Sequence, residues 1–127
     1  MEFLKPFIIA IILFVILDMI FFGVIAKKFY KKELGSSMLD SPRFLSAAVV
    51  YLLLALGIVL FILPSNYNIW LAGAIFGLIV YGVYDFTNYT FLKDWTLPVV
   101  WLDVAWGILA SSVVSFLTKT ISMKLNF

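Results

Sequence analysis

Four apolar runs, each about the thickness of a bilayer, constrain this chain more than any other feature. They cover residues of about 5–26, 45–63, 69–90 and 96–117 in a sequence of 127 residues. A helix needs about 20 apolar residues to cross roughly 30 Å of hydrocarbon. In lipid, the backbone polar groups of each span must be satisfied internally, and an isolated span does that as a helix. Only short polar turns are left to join the last three runs. The expected fold is therefore all-α, a four-helix transmembrane bundle, with residues 1–127 as a single integral membrane domain in contact with the lipid bilayer. Composition agrees, with 65% hydrophobic and 13% charged residues, against roughly 45–50% and about 25% in soluble domains. A soluble core could not hide that excess.

Local signals mark where the runs begin and end. A signal peptide ending at Val24-Ile25-Ala26 is the competing reading of the first run. That run is longer than the usual apolar region of about 7–15 residues. It also contains Asp18 and follows Glu2 as well as Lys5, so it reads as a span. The helix can continue through Lys27-Lys28-Phe29-Tyr30-Lys31-Lys32-Glu33, with Phe29 and Tyr30 at headgroup level, and should stop at Gly35-Ser36-Ser37. Asp40-Ser41-Pro42 reads as the capped start of the second span, and Pro98 lies in the first turn of the fourth. Thr118 to Phe127, with Lys119 and Lys124, reads as a short interfacial tail. Trp70, Trp95 and Trp101 are expected to anchor helix ends at the interface.

Charge gives the orientation. The first connection carries Lys27, Lys28, Lys31, Lys32 and Arg43, and the second carries no charge. Basic loops stay in the cytoplasm, so the first connection and the 93–95 turn are expected there, with both termini outside. The net charge of +2 is then a topology signal and not a nucleic-acid surface. The chain has neither His nor Cys. That excludes haem held by His or Cys, thiolate clusters, disulfides and Ser-His or Cys-His nucleophiles. Any metal would be a hard divalent cation held by oxygen ligands.

Against this background Asp18, Asp85 and Asp103 stand out, because ionisable residues at membrane depth are costly and mark functional sites. Asp85 sits in Gly82-Val83-Tyr84-Asp85-Phe86-Thr87-Asn88-Tyr89-Thr90, the densest polar stretch of any span. Asp18 precedes Lys27 by nine residues, Asp85 precedes Lys93 by eight, and Asp103 follows Asp94 by nine. At 1.5 Å per residue, each lies roughly 12–14 Å from one membrane face. Helical rows agree: Gly73, Gly77, Tyr81 and Asp85 share one face, and Asp103, Gly107, Ser111 and Ser115 share another. Gly73-x-x-x-Gly77 is a close-packing motif of membrane helices. The expected site has Asp18, Asp85 and Asp103 as an acidic core and Tyr81, Tyr84, Thr87, Asn88 and Trp106 as walls. Three carboxylates crowded in a dry site cannot all be ionised, so protons, a cation or hydrogen-bond donors must accompany them. The same three are the candidate metal ligands.

Tyr81-Gly82-Val83-Tyr84-Asp85-Phe86-Thr87-Asn88-Tyr89, then Lys93-Asp94-Trp95, then Asp103-x-x-Trp106-Gly107, resembles a family of small bacterial integral membrane proteins of unknown function. The likeness covers essentially the whole chain. It implies a four-helix protein of the bacterial inner (plasma) membrane and brings no activity with it.

The residues themselves leave three functions open. The first is a proton-linked carrier or transporter of a cation or cationic small molecule, which a homodimer would serve because four helices enclose little volume. The second is a membrane-embedded enzyme holding a hard divalent cation against a lipid or isoprenoid head group. No Arg or Lys stands ready for a phosphate, and no Asp-x-x-Asp cluster appears. The third is a structural or sensory protein whose buried Asp residues fasten helices together, each bond contributing about 0.6 kcal/mol.

Overall fold

The computed structural model describes residues 3–39 and 43–125, and they are helical throughout apart from short turns. The α-helices are α1 (Leu4–Ile20), α2 (Lys27–Leu34), α3 (Phe44–Gly57), α4 (Ile69–Phe91) and α5 (Leu97–Lys124). A π-helical turn, Phe21–Ala26, joins α1 to α2 without a break, and a second, Ile58–Ile62, extends α3. Four helical stretches are long and apolar enough to cross a membrane: Leu4–Ser37, Phe44–Ile62, Ile69–Phe91 and Leu97–Lys124.

Several ends follow the local chemistry. Gly35, at φ 54°, closes α2 in a conformation that side chains resist. The Asn68 side chain accepts from the backbone N–H groups of Trp70 and Leu71 at 2.9 and 3.2 Å and caps α4. The expected start at Asp40-Ser41-Pro42 lies outside the described residues. The expected interfacial tail is a correction, because α5 runs on to Lys124 and buries Thr118 completely. No Gly or Pro interrupts residues 118–124, and the buried row Ser111, Ser115, Thr118 continues the packed face past the expected end.

The closest seam is α4 against α5. A Cβ added to Gly73 would come within 2.7 Å of the Ser111 carbonyl oxygen and the Ser115 hydroxyl. One added to Gly77 would strike the Gly107 backbone, and the Tyr81 ring fills the space above Gly107. The backbones approach because the contact residues are small, which is how membrane helices gain dispersion contacts in a solvent as apolar as themselves. α1 packs on α5 and on α3, and the π turn ending α3 reaches α1, α4 and α5.

The backbone of α3 approaches neither α4 nor α5 closely, and the Phe76 ring of α4 bridges to α3 at Gly57. Around the bundle the order is therefore α3, α1, α5, α4, with the seam between α3 and α4 closed by Phe76 on Gly57 at one end and open beyond it. The bundle closes near the 63–68 turn, where Phe14, Leu54, Ile58, Ala110 and Val114 form the main core. It splays towards the opposite face. There, Ser37 donates to Asp94 Oδ2 at 2.7 Å and Thr96 donates to Glu33 Oε1 at 2.6 Å. These two bonds tie the end of α2 to the turn before α5, so the first and third connections share one face of the bundle.

Candidate functional site

Where the helices splay, a groove of about 720 Å³ opens between α1, α2 and α3 on one side and α4 and α5 on the other. Asp18 and Asp103 line it, with Tyr81, Tyr84 and Trp106 from the expected walls. Among its described lining residues there is no Lys or Arg.

Asp18 holds three helices together. Its Oδ2 accepts from the Tyr51 hydroxyl of α3 at 2.7 Å, and its Oδ1 accepts from the Trp106 indole N–H of α5 at 2.7 Å. The Trp106 ring is fixed in turn by Phe21, stacked on it at 4.2 Å and 5°. Asp103, one turn before Trp106, accepts from the Tyr30 hydroxyl of α2 at 2.8 Å. Asp18 and Tyr30 lie twelve residues apart, roughly 18 Å of helix, yet they meet α5 residues only three apart, roughly 4.5 Å. The π turn between them and the reach of the aromatic side chains take up that difference.

Asp85 lies behind the groove wall. It is fully buried, and neither of its oxygens has an N–H or O–H donor. Its nearest polar neighbours are the Asp103 carboxyl and the Trp95 indole. Asp103 Oδ2 and Trp95 Nε1 are likewise buried without hydrogen-bond partners. A hydrogen bond between two carboxyl groups requires a proton on one of them. As two bare carboxylates, this pair would repel each other with only the Tyr30 hydroxyl on Asp103 donating to it among the described residues.

The expected trio therefore divides into an Asp85–Asp103 pair and an Asp18 with donors of its own. Among the described residues no three acidic side chains stand close enough together to hold one metal ion. The Tyr81 phenol still lies within electrostatic reach of all three aspartates.

Two expected wall residues are corrected. Thr87 is exposed, because two residues of helix turn it about 200° away from Asp85. Asn88 does not line the groove and stands beside Tyr84. Trp101 is exposed, with its ring edge-on to Phe86, as suits an anchor.

Sequence reasoning missed Tyr51, Tyr30 and Trp95. Tyr51 is the one phenol in the second apolar run, a signal that was available. Tyr30 and Trp95 look like interfacial aromatics and are instead turned inward. Trp95 and Leu34 also border a second cavity of about 600 Å³, lined by Ser37, Lys93 and Asp94. They thus form the partition between the acidic groove and the polar face.

Comparison with curated proteins and with solved structures found no match. Residues 3–120 match the family described as "Predicted membrane protein (DUF2177)". With nearly its whole length matched and four apolar helices long enough to span, the chain belongs to this family of predicted membrane proteins of unknown function.

Proposed function

We propose that the groove binds a monovalent organic cation in competition with protons, and that the protein is a carrier or transporter of such a cation in the bacterial inner membrane. The observation that carries this reading is the lining itself. Nine of its sixteen described lining residues are aromatic, its charged groups are the carboxyls of Asp18 and Asp103, and no basic side chain is among them. Aromatic faces and a carboxylate together recognise ammonium-like cations, and an intramembrane carboxyl that takes either proton or cargo couples the two. Asp103 and the buried Asp85 beside it would hold the proton when the groove is empty. The alternative of a lipid-head-group enzyme using a hard divalent cation has less support, since the three aspartates do not form one ligand set.

The test is proton release. Tetraphenylphosphonium added to purified protein in weakly buffered detergent should release protons, and its apparent affinity should rise with pH. Asp18→Asn and Asp103→Asn should each weaken binding. Binding that is independent of pH, or unchanged in both variants, would overturn the reading.

A further inference from the structure

The open seam between α3 and α4 points to the chemical class of the cargo and its route. This inference rests on the cation-binding reading above. We infer that the groove takes a single-tailed amphiphilic cation, which enters sideways from the bilayer between α3 and α4.

Three observations converge. First, the groove is walled by helices on three seams, whereas the backbones of α3 and α4 stay apart and the Phe76 ring of α4 meets α3 at Gly57, outside the groove lining. Phe44, Ala47 and Tyr51 of α3 face the groove opposite Tyr81 and Tyr84 of α4. In a bilayer that gap faces lipid. Second, the exposed part of the lining on those two helices is apolar or aromatic: Phe44 of α3 is about 70% exposed and Tyr84 of α4 about half exposed. A hydrophilic ion would have to shed its water to pass such a mouth, whereas an alkyl chain gains contacts there. Third, access from the polar face is obstructed. Leu34 and Trp95 separate the groove from the outer cavity. The Ser37–Asp94 and Thr96–Glu33 hydrogen bonds hold α2 down beside that partition.

Charge complementarity fixes the head group. Asp18 and Asp103 line the groove, Asp85 is buried nearby, and no Lys or Arg is among the described lining residues. An anionic head group would meet repulsion there, whereas a cationic one is attracted by the carboxyls of Asp18 and Asp103. The stretch of α3 from Phe44 to Tyr51 spans seven residues, roughly 10 Å of helix, which gives an extended alkyl tail a wall to lie along.

The experiment compares three probes below their micelle-forming concentrations with the protein in lipid nanodiscs. Dodecyltrimethylammonium has head and tail, tetramethylammonium the head alone, and dodecanol the tail alone. The readout is intrinsic fluorescence of Trp95 and Trp106 in a Trp70→Phe, Trp101→Phe background. Dodecyltrimethylammonium is expected to bind at least tenfold more tightly than either other probe, and to lose that advantage over dodecanol in Asp18→Asn, Asp103→Asn protein. Equal binding of tetramethylammonium would overturn the amphiphile inference and leave the cation reading standing. Equal binding of dodecanol would overturn both. The wild-type comparison decides between these outcomes even if the double variant does not fold.

Discussion

The α4–α5 seam makes a prediction whose sign depends on position. Gly77 and Gly82 lie five residues apart in α4, and alanine should act oppositely at the two. At Gly77 a new Cβ would collide with the Gly107 carbonyl and come within 2.9 Å of the Ile108 Cα. Both obstacles are backbone, so no side-chain rotation relieves the clash and the helices must separate. At Gly82 nothing lies within 4 Å of the added atom. The helix-propensity gain of alanine over glycine, up to about 1 kcal/mol, is common to both variants and cancels in the comparison. What remains is overpacking, about 1–3 kcal/mol, or roughly 5- to 150-fold in the unfolding equilibrium. Gly77→Ala should therefore be the less stable variant by that margin, with Gly82→Ala equal to or above wild type. Reversible unfolding in mixed micelles, followed by far-ultraviolet circular dichroism, measures it. Equal stabilities for the two variants would refute the close approach of α4 and α5.

Tyr51→Phe removes a single hydrogen bond to Asp18 and should cost about 0.6 kcal/mol, at most about 1.7; no loss in the same unfolding assay would mean that the bond contributes nothing. Asp85→Asn should match or exceed wild-type stability, because Asp85 has no donor to lose and the amide can donate to Asp103. Asp85→Asn should also blunt the dependence of stability on pH, read as melting temperature in detergent between pH 5 and 9, and an unchanged profile would show that the Asp85 carboxyl plays no part in it. Cysteines placed at the exposed Ser36 and Asn66 of this cysteine-free chain should label from opposite membrane faces, and labelling of both from one side would sink the up-down bundle.

The sequence by itself determined the class and the helical runs, because hydropathy and span length are properties of consecutive residues. It also determined which face of α4 meets α5, since Gly73, Gly77 and Tyr81 recur at the helical period and small residues in lipid mark contact. Asp18, Asp85 and Asp103 could be singled out for the same local reason, as carboxyls in apolar runs. Thr87 was legible too, since the helical period alone places it opposite Asp85.

Tertiary structure decided the rest. Whether Tyr30 and Trp95 face headgroups or the interior depends on the path of α2 after the π turn and on where the 93–96 turn is tied, and a sequence window carries neither. Tyr51 became a ligand of Asp18 because α3 packs on α1. The groove exists because the backbones of α3 and α4 stay apart beyond the Gly57–Phe76 contact, and how two helices meet is set by both surfaces together. The division of the aspartates into a buried pair and a separately bonded Asp18 follows from the same cause. Depth along a helix is local arithmetic, but the partner each carboxyl meets at that depth is chosen by the neighbouring helices.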